Sequence, residues 1–342
     1  QGLDNSQGSV LAANALTVQS ADAVRNSAGK LLSNGQVRVT SRSLINDQQG
    51  QIGSSNSSVA IDTGALNNQT GTIASASNIL LGTQQLDNTS GQISGATVVI
   101  DSHQQTVTNV QGRITATTGA IELESGALFN QGGLIQAKQQ LSLNTHNQML
   151  VNADTKDVGG LLSGSDLILK TGAWNNINGN VQSAATVQAR ASSLDNSAGK
   201  ILAGKTLNLA TSDALVNTSG QIAATEAVTV QAGSITNTAQ GQIGSVSDAV
   251  VLNTGSFDNQ TGVVMGSTSL RVDSQTLNNA YCINDAATIE IYTHQQSLNN
   301  NAGTIAATTG ALFLSSGVIS NQTGTMFAAD ALRLVGTGNL DN

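Results

Sequence analysis

The sequence predicts an all-β protein: a parallel β-helix of about 16 coils, with three short strands in each coil of about 21 residues. Three observations predict it. First, an apolar-x-Asn triplet recurs along the whole chain, its asparagine falling at Asn5, Asn26, Asn46, Asn68, Asn88, Asn109, Asn130, Asn152, Asn176, Asn196, Asn217, Asn237, Asn259, Asn279, Asn300, Asn321 and Asn342. The span from 5 to 342 (342 − 5 = 337) holds 16 intervals, a period in the solenoid range. Second, aliphatic residues between the markers alternate with period two, and nothing shows helical i, i+3, i+4 spacing. Third, a glycine follows most markers at a fixed distance, as turn punctuation would.

The stretch Leu194 to Leu209 shows one unit: Leu-Asp-Asn-Ser-Ala-Gly-Lys-Ile-Leu-Ala-Gly-Lys-Thr-Leu-Asn-Leu. Gly199 stands three residues after Asn196; Gly50 and Gly241 come one residue late after their markers. Such a glycine suits a corner that needs positive φ. A first strand follows, an aliphatic with a small residue two further on, as in Ile201/Ala203 and Ile222/Ala224. The second strand is an alternating pair, as in Leu207/Leu209, Val37/Val39 and Ile289/Ile291. A third short strand leads into the next triplet, as at Leu86-Asp87-Asn88. Coils stacked in register at about 4.8 Å would give a rod roughly 75–80 Å long. About five inward side chains per coil contribute roughly 8–12 kcal/mol by burial. Ordering some twenty residues costs at least that much. A lone coil therefore does not fold, and stacking supplies the difference. In register, each marker amide can donate to one neighbour and accept from the other, forming a ladder. An Asp column would repel itself, and a Leu would leave corner backbone groups unpaired.

Composition narrows the classes. Aromatics are 2% and charged residues 10%, too few for an ordinary globular domain. The fixed aliphatic grid argues against disorder. The net charge is −8 and the 13 basic residues are scattered, so there is no basic stripe for nucleic acid. One cysteine, Cys282, permits no internal disulfide. No apolar run reaches membrane-span length, and no secretion signal stands at Gln1. The expectation is one continuous β-helix over 1–342. Because the chain starts and stops on the same Leu-Asp-Asn mark without polar caps, it is expected to be an excerpt of a longer protein.

These units resemble the filamentous haemagglutinin repeats of large two-partner-secretion exoproteins, which include filamentous adhesins and contact-dependent growth inhibition effectors. The residues that carry the resemblance are 194–204, Leu-Asp-Asn-Thr-Ser-Gly-Gln-Ile-Ser-Gly at 86–95 and Leu-Asn-Asn-Gln-Thr-Gly-Thr-Ile-Ala at 66–74. The resemblance implies a right-handed β-helix, exported through an outer-membrane β-barrel transporter to the surface of a Gram-negative bacterium. It also implies a target-cell receptor engaged through other parts of the parent chain. The family's Asn-Pro secretion motifs are absent, since the chain has no proline, and so is the Val-Glu-Asn-Asn marker that precedes toxin regions.

Several departures from the unit offer other readings. The coil after Asn152 is the longest, carrying Ala-Asp-Thr-Lys-Asp-Val-Gly-Gly at 153–160, and Trp174 takes the place of the usual Leu. It reads as a contact loop or, preferably, as a corner insertion with Trp filling extra core. Cys282 replaces the corner glycine beside Tyr281 and reads as a buried, inert thiol rather than a reactive one. His103, His146 and His294 share a column, on coils too far apart to converge on a metal. Ala60, Leu80 and Val99 form a candidate apolar strip for lateral contact. Arg271 and Glu290 are placed to pair. No cofactor is implied and no catalytic residue is assigned. Three functions follow. The first is a structural stalk presenting adhesive or toxin-delivery segments, and the second is direct adhesion to a glycan or protein by the rod's own face. The third is a polysaccharide-cleaving enzyme, for which Asp101 and Glu124 are the neighbouring carboxylates, without the loops or aromatics such a groove needs.

Overall fold

The computed structural model describes residues 2–157 and 159–342. It is a parallel β-solenoid of about sixteen turns with no helix among the described residues. The chain divides into two compact units, 1–175 and 176–342.

In the first unit the first strands stack in one sheet, from Ser9–Ala12 and Lys30–Ser33 through Gly160–Ser163. The second and third strands stack in another, from Leu16–Gln19 and Ala23–Arg25 onward. All pairings are parallel and in register: Ile93 lies between Ile73 and Ile114, and Leu123 between Ile100 and Leu143. Alternation sets the faces. Leu207 and Leu209 of the second unit are 0% and 2% exposed, while Asn208 between them is exposed. In three coils of each unit the second and third strands run together as one, for example Val37–Ile45, Val59–Asn67 and Asn78–Asp87 in the first.

The corners correct one expectation. Where a glycine stands three or four residues after its marker it does not carry the positive φ; the residue before it does, at Thr70 (56°), Ser90 (53°) or Ala198 (53°). The late-glycine corners carry two such residues, Gln48/Gln49 and Ala239/Gln240. The glycine is there for room. A Cβ on Gly71 would stand 1.8 Å from the Asn46 carbonyl oxygen and 2.7 Å from Asn68 Oδ1. The stacked asparagines occupy the space a side chain would need.

A longer period overlies the coil. Leu3 and Leu194 are 191 positions apart (194 − 3 = 191), and every marker from Asn5 to Asn130 has its counterpart at the same offset, Asn196 to Asn321. The irregular features recur with it. The late glycines Gly50 and Gly241 correspond, as do Gln-Gly-Gln-Ile-Gly-Ser at 49–54 and 240–245, and His-Gln-Gln at 103–105 and 294–296. The run-through strands correspond too: Val228–Thr236, Val250–Asp258 and Ser269–Asn278 in the second unit match the three named above. The two units are copies of one design, so each position in 1–151 has a control in 192–342.

Candidate functional site

The asparagine ladder forms as the spacing implies. Within each unit Nδ2 of one marker donates to Oδ1 of the next: 2.6 Å from Asn5 to Asn26, and 2.7 Å from Asn26 to Asn46, Asn46 to Asn68, Asn68 to Asn88, Asn88 to Asn109 and Asn109 to Asn130. The step from Asn130 to Asn152 is 2.8 Å. In the second unit Asn176, Asn196, Asn217 and Asn237 each donate at 2.7 Å, as do Asn279 and Asn300, and Asn321 reaches Asn342 at 2.6 Å. Most of these side chains are fully buried. Their second amide hydrogens reach backbone carbonyls, as from Asn217 to Gln242 at 3.0 Å. The ladder therefore satisfies corner groups that would otherwise be buried without partners.

A second polar column went unanticipated. The alternation of the second strand continues for one more inward position, and that position is Ser or Thr in most coils: Ser41, Thr63, Thr83, Ser102, Ser125, Thr145 and Thr171 in the first unit. Ser41 and Thr63 hydroxyls lie 3.0 Å apart, Thr145 donates to Thr171 at 2.8 Å, and Thr293 to Ser316 at 2.8 Å. The signal was the same period-two pattern carried past the aliphatic pair, as in Leu167-x-Leu169-x-Thr171.

The departures fall as follows. Trp174 is 1% exposed and belongs to the core, so it offers no surface for contact; its indole N–H has no partner among the described residues. In the insertion before it, Ala153 and Thr155 are buried and Thr155 Oγ1 donates to the Asn152 carbonyl at 3.1 Å. Val158 lies outside the described residues, as does Gln1. Leu80 is 47% exposed, with Ala60 and Val99 half-buried beside it in register, but Arg38 and Glu122 close the strip at its two ends. Its counterpart in the second unit is Val251, Arg271 and Glu290, where Arg271 and Glu290 pair at 3.3 Å. The three histidines lie at left-handed corners. His103 Nδ1 is 3.3 Å from the Thr83 carbonyl, His146 Nδ1 is 3.0 Å from the Ser125 carbonyl, and His294 Nε2 is 2.5 Å from Asp273 Oδ1. Among the described residues no three His, Cys, Asp or Glu side chains group to hold a metal ion. Asp101 accepts from the His103 backbone N–H at 2.7 Å and Glu124 from Asn144 Nδ2 at 2.8 Å, so both carboxylates are engaged locally.

Cys282 is 4% exposed, and burial pushes its thiol up to about 12. Its Sγ–H is directed at the Asn279 side-chain and backbone oxygens, the side-chain contact being the tighter. The neighbouring core position, aliphatic in most other coils, holds Asn284, fully buried, with its Nδ2 unpartnered. Here the ladder stretches: Asn259 Nδ2 lies 3.2 Å from Asn279 Oδ1 and 3.0 Å from Asn284 Oδ1.

A shallow groove of about 520 Å³ opens on the first-strand sheet of the second unit, with Gly244 between Ala223 and Met265. A polar one of about 980 Å³ in the first unit is lined by Arg42, Gly64, Gln84, His103 and Gln105, a guanidinium, amides and one imidazole without paired carboxylates.

Comparison with known proteins agrees with the coil geometry. No curated protein and no solved structure matches the chain. The model of the haemagglutinin repeat family matches residues 1–64, 32–109, 101–153, 150–219, 215–289 and 263–342, which together run the length of the chain. Repeats matched from end to end, in phase with an observed ladder of stacked asparagines, make this chain a member of the haemagglutinin repeat family.

Proposed function

We propose that the chain is a length of stalk in a secreted surface filament of a Gram-negative bacterium, exported through a two-partner outer-membrane transporter, with its coils forming one continuous β-helix. The observation that carries this is repetition. Nearly every coil satisfies its core with the same inward columns and with asparagines bonded within their own coil and to the coils on either side. Catalysis needs unlike groups to converge at one place, and charged groups here are dispersed. Such an array supplies reach, at roughly 5 Å per coil. Whether it presents an adhesive or a toxin-delivery segment depends on the rest of the parent protein.

The test is to delete one coil in phase, residues 197–217, from the parent protein. Folding, surface display and target-cell engagement should persist with the filament one coil shorter. Loss of engagement by a folded, displayed deletion mutant would sink the spacer reading for that coil.

A further inference from the structure

The two units share their strand pattern and most of their core, the exceptions near this face being Cys282 and Asn284, so an outer-face difference away from those two residues has no counterpart in the core. Most such differences are scattered, and one set is not. Where the first unit has Ser55, Thr72, Ala74, Ser90 and Gln92, the second has Val246, Val263, Met265, Tyr281 and Ile283. Four of these lie together, and Tyr281 is at the corner that leads into Ile283. Val263 and Ile283 are register partners on adjacent first strands, and Met265 is two residues along from Val263 on the same face. Val246 lines the same groove as Val263 and Met265, and Tyr281 stands two residues before Ile283. Val246 is 74% exposed, Tyr281 66%, Met265 51% and Ile283 48%. Exposing this much apolar surface gives the fold nothing, and an apolar patch with charged neighbours is the signature of an interaction surface.

The charge around the patch changes as well. Ser57 becomes Asp248 and Ser94 becomes Asp285, while Lys30 becomes Gln221 and Arg113 becomes Thr304. Asp285 is the register partner of Met265, and Thr304 that of Ile283. Two acids have been gained and two bases lost around the patch, while one base, Lys200, the register partner of Gln221, has been gained further along the same sheet. Beyond it, Lys205 and Glu226 stand on consecutive coils and offset one another. Gly244 leaves the centre of the groove without a side chain, and a Cβ there would meet nothing closer than 3.5 Å. The recess can therefore take an inserted side chain.

We propose that this face of the second unit is a docking site for a partner peptide segment whose apolar side chains alternate with basic ones, the apolar residues seating between Val246, Met265 and Ile283 and the basic ones meeting Asp248 and Asp285. An anionic bilayer is disfavoured by the two acids. A second copy meeting this face through its own equivalent face would set acid against acid.

The probe is a synthetic Lys-Leu-Lys-Phe-Lys-Leu-Lys peptide, titrated into the intact chain by calorimetry and compared with the peptide in which every Lys is Glu. The Lys peptide should bind at least tenfold more tightly, with affinity falling as salt rises. Met265→Ala with Ile283→Gln should weaken it at least tenfold, and Asp248→Ser with Asp285→Ser should abolish the preference over the Glu peptide. A reverse graft guards against loss of fold: Ser55→Val, Ser57→Asp, Thr72→Val, Ala74→Met, Ser90→Tyr, Gln92→Ile and Ser94→Asp, all on the outer face of the first unit. The grafted protein should show a second binding event. Equal binding of both peptides, or unchanged binding after Met265→Ala with Ile283→Gln, would overturn the proposal. So would a patch-dependent dimer in sedimentation velocity, or binding to anionic phospholipid vesicles that competes with the peptide. None of these outcomes bears on whether the coils act as a spacer.

Discussion

The coil that begins at Asn88 and the coil that begins at Asn279 occupy the same place in the two units, 191 residues apart (279 − 88 = 191). In the first, Gly91 leaves room for the ladder, Asn68 donates to Asn88 at 2.7 Å, and Ile93 is fully buried. In the second, Cys282 fills that room, the ladder lengthens to 3.2 Å, and Asn284 stands where the isoleucine would be. The two changes compensate in part. The amide displaced by the thiol finds Asn284 Oδ1 at 3.0 Å, and an aliphatic residue there could not have offered an acceptor. The compensation is incomplete, because Asn284 Nδ2 has no partner. The comparison teaches that a solenoid tolerates a defective coil when its neighbours are sound, since each coil is stabilised through two interfaces. It also places the defect beside the apolar patch of Tyr281 and Ile283, where the outer face departs most from the first unit.

The largest break in the comparison is to move the defect. Ile93→Asn in the first unit should destabilise it by about 3–5 kcal/mol, because a buried aliphatic is lost and an amide is buried without the thiol-displaced partner that Asn284 has. Asn284→Ile in the second unit restores aliphatic burial but leaves Asn259 short of an acceptor, so its gain should be smaller than that cost. Denaturant titration of both variants measures the asymmetry. Equal and opposite shifts would show that Asn284 does nothing for the ladder.

The ladder itself sharpens the contrast. Asn68→Ala removes four hydrogen bonds from a buried corner, one accepted from Asn46 at 2.7 Å and three donated at 2.7, 3.3 and 3.3 Å, and should cost about 3 kcal/mol. Asn259→Ala removes three, the 2.7 Å bond accepted from Asn237 and the two longer ones it donates, and should cost less, about 2 kcal/mol. Hydrogen exchange at the Gly71 and Gly262 amides would locate the loosening.

Much of this was legible in the sequence, for reasons specific to the repeat. Inward positions must match the coil above and below, so Leu207, Leu209 and the markers announce themselves by phase. The corner glycines were legible as corners and misassigned in cause: the positive φ falls on Ser90 or Ala198, and no residue preference marks those positions. The Ser/Thr column was missed because hydroxyls are common everywhere in this chain and its phase shows only when the alternation is extended. Asn284 was missed because a buried amide looks, in sequence, like any other asparagine in an asparagine-rich chain. The outer-face patch becomes visible only when the units are laid over each other at their offset.

A smaller effect comes from the thiol. Cys282→Gly should return the Asn259–Asn279 distance to the value of the other coils and change stability by about 1 kcal/mol or less, since the glycine costs backbone entropy while it relieves crowding. Native protein at pH 8 should not react with a thiol reagent, and unfolded protein should react at once. The pH dependence has a definite sign. The folded thiol stays protonated up to about 12, whereas the unfolded one ionises near its ordinary value of 9.0. The unfolded chain then holds fewer protons, so stability falls as pH rises above 9. Replacing Cys282 should flatten that limb.

The smallest expected difference lies at the histidine corners. His103 faces a backbone carbonyl, and its neighbour on the preceding coil is Gly82; at the equivalent place His294 meets Asp273. The hydrogen bond from His294 holds the Asp273 carboxyl below its ordinary range against the opposing effect of burial, with Arg271 adding to the depression. A depressed carboxylate stabilises the folded state above its unfolded pKa, and that contribution disappears as pH falls through the folded value. The second unit should therefore lose a little stability on acidification that the first does not. The side chains are partly solvent-exposed, 60% for His294 and 30% for Asp273, so the effect should stay below about 1 kcal/mol and shrink further in salt. Asp273→Gly copies the first unit at this corner. If the acid limb of the second unit's unfolding profile is unchanged in that variant, the pair is a surface contact without energetic consequence, and the two histidine corners are equivalent despite their different partners.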